Sequence, residues 1–265
     1  GRHLGLLLKR RRKVLSMQII RFIRAAGSAA LILLACFSSN AGFAAGLQIS
    51  PVSLELSADK KADGVWLRNA GTEVVHAQVR VYRWSQEKGE DVLTPDNGMV
   101  ASPPMIQVPA GQQQLVRLVR IGAMAAPAAN ERTYRLVIDE LPIKKPGTRV
   151  GLDFVFRYSI PVFIAGTAPV KSMLDWSVQQ SGKKVWLQVK NNGTSHAQLT
   201  NIAFTPAHGK TVTVLEGLAG YALAGQYRRL ELPLPPSLFA NGGTFNSLIN
   251  GVKTDTKVAS INKEP

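Results

Sequence analysis

The chain has 265 residues, a formal net charge of +15 and a single cysteine. This length exceeds that of one ordinary β-sandwich and fits a removable leader followed by two domains of roughly 100 to 120 residues each. Eight of the 32 basic residues lie in residues 1–45, which contain no acidic residue. The remainder has 24 basic and 17 acidic residues, a net charge of +7, so nucleic acid is not an expected partner.

From Met17 onwards, the first 45 residues have the order of a secretory signal peptide. Two arginines precede the apolar stretch 25–37, and small residues follow it. We expect cleavage after Ala44 or Ala45 and export to the periplasm, with residues 1–16 as an upstream over-extension of the reading frame. The alternative is a long basic region at the front of the leader. The apolar stretch is shorter than the about 20 residues of a membrane span, so the protein is not expected to be membrane-embedded.

The single cysteine, Cys36, lies inside this leader. The mature protein is therefore expected to form no disulfide. An alternative interpretation takes LLAC at 33–36 as a lipoprotein processing site, which would leave Cys36 acylated at the new N-terminus. That alternative leaves the small-residue sequence AGFAA at 41–45 unexplained.

After the leader, short runs of alternating apolar and polar residues recur, and no helix-length window has an apolar period of 3.6 residues. The pattern predicts an all-β protein with two immunoglobulin-like β-sandwich domains, residues 46–165 and 166–265. The strands predicted for the first domain are Gly46–Glu55, Asp63–Asn69, Val74–Trp84, Met105–Val108, Gln113–Ile121, Thr133–Glu140 and Arg149–Ala165. Those predicted for the second, smaller sandwich are Leu174–Val178, Lys184–Asn191, Ala197–Phe204, Thr211–Leu215, Tyr227–Leu232 and Lys253–Ile261.

The seventh predicted strand, Arg149–Ala165, is long compared with the typical five or six residues. Because side chains alternate across a strand, four apolar residues share one of its faces. They are Val150, Leu152, Phe154 and Phe156. One interpretation is that this face fills the core of its own domain. The other is that the strand lies at a sheet edge and offers these side chains to a partner.

Six segments occur in an order and spacing that resemble one family. They are PVSLELSA at 51–58, LRNAG at 67–71, SPPMIQVPAGQQQLVRL at 102–118, ERTYRLVIDELP at 131–142, FRYSIPVFIAG at 156–166 and LQVKNNGTSHAQLTNI at 187–202. The chain resembles the PapD-like periplasmic chaperones of the chaperone–usher pilus pathway. The resemblance implies an L-shaped pair of immunoglobulin-like domains that lends its seventh strand to a pilus or fimbrial subunit. The subunit's groove would receive the four apolar side chains, and the subunit would then pass to an outer-membrane usher.

The family holds the subunit's C-terminal carboxylate with an arginine on the first strand and a lysine near the end of the seventh. The matching positions of this chain are Ser53 and Ser159, so the resemblance is to a divergent branch. Another cation or hydrogen bonds would then hold the carboxylate. Arg157 is the nearest cation along the strand, and Arg117 or Arg120 on a neighbouring strand are alternatives. Arg157 can also be interpreted as an ordinary solvated arginine.

The interdomain ion pairs of the family are altered in the same way. Glu131 stands at the acidic position of the first domain, but Phe163 and Gly251 stand where its partners would be. We therefore expect the angle between the domains to depend on packing around Pro161, Phe163 and Pro169.

Little in the sequence supports catalysis. The mature chain has three histidines, His76, His196 and His208, which lie in different segments and lack the spacing of a metal-binding pair. It has no cysteine and no G-x-S-x-G motif. We expect no enzymatic activity, no metal site and no cofactor. The alternative to a chaperone is a secreted structural or adhesive module, but a pilus subunit should have an incomplete sandwich, whereas the first domain is predicted to own seven strands.

Overall fold

The computed structural model of the protein describes residues 46–122, 126–142 and 155–263, which belong to one compact unit. The regular structure of these residues is mainly β-strand, and a short 3-10 helix lies at Pro236–Phe239. The first ten strands are β1 (Leu47–Ser50), β2 (Leu54–Leu56), β3 (Ala62–Asn69), β4 (Val75–Glu87), β5 (Glu90–Pro95), β6 (Met99–Ser102), β7 (Met105–Val108), β8 (Gln113–Arg120), β9 (Arg132–Leu141) and β10 (Arg157–Ile164). The other eight are β11 (Leu174–Ser181), β12 (Lys184–Asn191), β13 (Ala197–Pro206), β14 (Val212–Ala222), β15 (Tyr227–Leu232), β16 (Gly243–Ile249), β17 (Val252–Val258) and β18 (Asn262–Lys263).

Two immunoglobulin-like sandwiches result, which confirms the predicted fold class. In the first, the sheet β1-β3-β8-β6 faces the sheet β2-β10-β9-β4-β5, in which β7 also pairs with β4. In the second, the sheet β15-β12-β11-β18 faces the sheet β14-β13-β16-β17. The predicted domain boundary at residue 165 lies in the connection between β10 and β11, and the predicted leader lies outside the described residues.

The period-2 alternation of the sequence places the core of the first sandwich. On β3, Val65 and Leu67 are buried while Trp66 points to solvent, and on β9, Leu136 and Ile138 are buried in the same core. Burying a side chain of this size is worth about 1.5 to 3 kcal/mol, so the alternation fixes the register of each strand. The second sandwich has its own core of the same kind.

The first predicted strand, Gly46–Glu55, is wrong as a single strand. β1 pairs with β3 in one sheet, and β2 pairs with β10 in the other. Pro51 begins the break between them, and because proline cannot donate to a β-ladder, it is a natural place for a strand to change sheets. The prediction also missed β5, β6, β16 and the two-residue strand β18.

A third buried cluster joins the two sandwiches. It consists of Trp84, Phe163, Tyr221 and Leu223. The buried Gln86 hydrogen-bonds across the junction: its Nε2 donates to the carbonyl of Tyr221 at 2.7 Å, and its Oε1 accepts from the amide of Leu223 at 3.1 Å. The junction therefore combines aromatic packing with hydrogen bonds that satisfy a buried amide.

Candidate functional site

The strand β10 is only partly covered along one side. It pairs with β9 over its whole length, but on its other side it pairs with β2 only over Val162–Ile164. Within the described ranges, no strand pairs with that side over residues 157–161. The first half of β10 is thus an open sheet edge, which we call the open edge.

The hydrogen bonds to β9 show which backbone groups the open edge presents. The amide of Glu140 donates to the carbonyl of Phe156 at 2.9 Å. Because bonding groups alternate in direction along an antiparallel strand, the N–H and C=O groups of Arg157 and Ser159 face away from β9. Pro161 is the next residue whose backbone faces away from β9. It has no N–H to donate on that side, which fits a position at a sheet edge. A partner strand could therefore bond to two consecutive outward-facing residues.

The open edge begins beside exposed apolar side chains. Val155 is 53% exposed and Phe156 is 42% exposed. Phe156 continues the alternation that points Tyr158 and Ile160 toward the core, and its ring lies 6.2 Å from that of Tyr158. Of the four predicted donor residues, Phe156 alone lies in the described part of the chain. Val150, Leu152 and Phe154 lie outside the described residues.

Tyr158 ties the start of β10 to the start of β1. Its hydroxyl accepts a hydrogen bond from the amide of Leu47 at 2.9 Å and donates one to Glu140 Oε1 at 2.9 Å. Burial, together with the neighbouring Glu140 carboxylate, raises the pKa of Tyr158 to about 12. The hydroxyl therefore keeps its proton at neutral pH, and this end of the open edge is held in place.

Arg157, the predicted anchor, already has a partner. Its guanidinium forms an ion pair with Asp139 of β9, and Arg80 of β4 pairs with the same carboxylate. Burial alone would raise the pKa of Asp139, but hydrogen bonds from the two arginines hold it below its usual value. Together, the two arginines and Asp139 carry one net positive charge. The side chain of Arg157 is 68% exposed.

A second cation, Arg135 of β9, lies opposite Pro161 on the face that meets the second sandwich. Its guanidinium carbon is 3.7 Å from the centre of the Trp84 ring, and its Nη1 donates to the carbonyl of Ser159 at 3.5 Å. Burial lowers the pKa of this guanidinium from its ordinary value. No salt bridge of Arg135 occurs among the described residues, and its guanidinium lies against the rings of Trp84 and Tyr221. No motif or spacing in the sequence marks Arg135 as part of a site.

The other predicted anchor positions are dispersed. Ser159 is exposed on the open edge, and Ser53 is half-buried just before β2. Arg120 is buried and donates to the carbonyl of Lys60 at 3.0 Å, and Arg117 faces solvent on the opposite sheet. Arg117 and Arg120 therefore do not meet the open edge.

A cleft of about 430 Å³ lies between the sandwiches where the open edge ends. Its lining residues are Ser53, Glu55, Leu56, Glu131, Phe163, Ala165, Val170, Ser195, His196, Gln198, Tyr221 and Asn250. Two of them are acidic, and none of these lining residues is a lysine or an arginine.

One wall of the cleft is an interdomain contact that the sequence analysis did not predict. The two carboxylate oxygens of Glu131 lie 3.0 and 2.9 Å from Nδ1 of His196, and the His196 amide donates to Glu131 at 3.0 Å. The His196 ring stacks on Phe163 at a centroid distance of 3.5 Å. Packing around Phe163 was expected, whereas the partner of Glu131 was not. Gly251, the position considered for that partner, lies between β16 and β17 with a φ of +79°.

Over residues 46–122, 126–142 and 155–263, no three His, Cys, Asp or Glu side chains are grouped so that they could hold a metal ion. In the same part of the chain, no helix has the length and apolarity to cross a membrane.

The fold and the open edge define a class of protein: a double immunoglobulin-like sandwich with a half-covered strand next to the interdomain cleft. Residues 46–168 match the family described as pili and flagellar-assembly chaperone, PapD N-terminal domain. The match assigns the first sandwich to this family, and together with the solved structure that is 26% identical it supports a PapD-like assembly chaperone. No curated protein sequence matches the chain significantly.

Several solved structures share the fold. A chain of the CsuC–CsuE chaperone–tip adhesion subunit pre-assembly complex, from archaic Csu pili of Acinetobacter baumannii, is 26% identical with a TM-score of 0.62, over 83% of this chain and 100% of that chain. The YadV chaperone is 17% identical with a TM-score of 0.56, over 80% and 98%. A chain of the Salmonella enterica SafA pilin–SafB chaperone complex is 17% identical with a TM-score of 0.55, over 80% and 93%.

Proposed function

We propose that this chaperone binds and caps pilus or fimbrial subunits in the periplasm by lending them β10 and the residues before it. The open edge carries the proposal, because no described strand pairs with the second side of residues 157–161, which lie beside exposed apolar side chains. An extended segment of another chain adds to such an edge through main-chain hydrogen bonds. The similarity to a chain of a chaperone–subunit complex supports a subunit as the partner.

In this proposal, the alternating residues Val150, Leu152, Phe154 and Phe156 fill the subunit's incomplete core. Each such side chain contributes about 1.5 to 3 kcal/mol when buried. Much of that gain offsets the freedom that both chains lose on association. The chaperone would also cover an edge of the subunit that is prone to aggregation, until an outer-membrane usher receives the subunit. Strand exchange of this kind needs no enzymatic step and no cofactor.

The subunit's terminal carboxylate is proposed to bind near Ser159. Arg135 is better placed for it than Arg157, because Arg135 donates to the Ser159 carbonyl and has no ion-pair partner among the described residues. Arg157 shares Asp139 with Arg80, so a second carboxylate would compete with that pair. The Ser159 hydroxyl, which is exposed on the open edge, is proposed to add a hydrogen bond. A charge-assisted bond to a half-buried guanidinium is among the stronger polar contacts in proteins.

The location proposed for this process is the periplasm, reached through the signal peptide predicted within residues 1–45. The tripartite order of that segment supports export, and the family match to an assembly chaperone supports the same compartment.

The test uses co-expression of the mature chain with a pilin-like protein and recovery of the complex from the periplasm. Phe156→Asp should abolish recovery, because a charge would enter the subunit's core, while the chaperone itself stays folded. Val100→Asp is the matched control: Val100 is 40% exposed but lies on β6 of the opposite sheet. Recovery that is equal for both variants would contradict the proposal. Absence of any partner, even with the unmodified chain, would instead favour a secreted structural or adhesive module.

A further inference from the structure

The cleft begins where the open edge ends. Ser53 precedes β2, and Leu54 of β2 pairs with Val162 of β10. β2 already occupies that side of β10 from Val162 onwards. A strand added along residues 157–161 therefore ends beside Ser53, the residue that precedes β2. The added strand ends at the mouth of the cleft.

The alternation of β2 shows which side of the added strand faces the cleft. Leu54 and Leu56 are buried in the core of the first sandwich, so Ser53 and Glu55 point to the opposite face. Phe163 of β10 points to that face as well and contacts the second sandwich. One side chain of the added strand, at the end nearest Ser53, consequently points into the cleft.

The charges that line the cleft determine which partner side chain is favoured there. The Glu131 carboxylate is engaged by His196. Glu55 is exposed, and its side chain forms no hydrogen bond or ion pair within the part of the chain that the structure describes. The remaining polar side chains of the lining are neutral, such as Ser195, Gln198 and Asn250. A cation would gain a counter-charge here, whereas an acid would face an unbalanced carboxylate.

We propose that the cleft accepts a lysine or arginine side chain from the strand that pairs with the open edge, and that Glu55 is its counter-charge. The inference rests on the proposed function of β10 and specifies the chemistry of the partner. It makes the cleft a specificity-determining contact, separate from the carboxylate contact at Arg135, which does not line the cleft.

Synthetic peptides test this without a known client. Each peptide is acetylated and amidated, alternates valine and threonine, and carries lysine, glutamine or glutamate at one end. One set varies the last residue, for addition parallel to β10, and a second set varies the first residue, for antiparallel addition. Affinities for the mature chain are measured by titration calorimetry at low and high salt.

In the set that matches the direction of addition, the lysine peptide should bind about three- to fivefold more tightly than the glutamine peptide, and the glutamate peptide should bind most weakly. High salt should reduce these differences. Glu55→Gln should remove them, whereas Glu216→Gln, at an exposed position on β14, should keep them.

Equal affinities for the three peptides, or tightest binding of glutamate, would overturn the inference while leaving strand addition intact. Failure of every peptide to bind would overturn the open edge as a strand-binding site, and the inference with it. The co-expression experiment with Phe156→Asp reports on the proposed function independently of Glu55.

Discussion

The two halves of β10 have opposite environments although they belong to one strand. Residues 157–161 have β9 on one side and an open edge on the other, whereas Val162–Ile164 are paired on both sides and buried. The second half also carries Phe163, which contacts Trp84, Tyr221 and His196 at the junction. The same strand therefore presents the proposed partner site and joins the sandwiches, so a rigid junction fixes the position of the open edge.

The largest effect is expected at the buried half. Phe163→Ala should lower the free energy of unfolding of the chaperone by about 3 to 5 kcal/mol, because it removes a buried ring and leaves a cavity between the sandwiches. Phe156→Ala, on the half-exposed side chain next to the open half, should cost less than about 1 kcal/mol. Urea titration followed by tryptophan fluorescence measures both, and Trp84 reports directly on the junction. Similar losses for the two variants would contradict the difference between the halves.

A smaller effect is expected from the cations beside the open half. Arg135→Gln should weaken capture of a subunit by about ten- to a hundredfold, since a charge-assisted hydrogen bond is worth about 1.5 to 3 kcal/mol. Arg157→Gln should weaken it by less than about threefold, because Asp139 already engages that guanidinium. Quantitative pull-down with urea unfolding as the folding control distinguishes the two. A strong effect at Arg157 with none at Arg135 would favour the anchor predicted from the sequence.

The sequence predicted what depends on local pattern. Alternation located the buried positions of β3 and the strands β12 and β15, because each of these strands has one face more buried than the other. β5 was missed because it is a polar edge strand whose residues are nearly all exposed, so its sequence carries no alternation. The pattern also could not show that Pro51 separates strands of different sheets.

The site was less predictable because its contacts are long-range. Glu131 and His196 are 65 residues apart in the chain, and neither has a local signal that identifies the other. Arg135 lies in a segment that the sequence correctly predicts as a strand, but its stacking on Trp84 depends on the pairing of β9 with β4. The open half of β10 likewise follows from the shortness of β2, which only the sheet order reveals.

Hydrogen exchange at single amides tests the central claim most directly. In the free chaperone, the amides of Arg157 and Ser159 should exchange rapidly, while the amide of Tyr158, which faces β9, should be protected. Binding of a pilin-like subunit should slow exchange at Arg157 and Ser159 by at least about tenfold. A stable complex in which these two amides still exchange at the free rate would show that the partner does not pair with the open edge of β10.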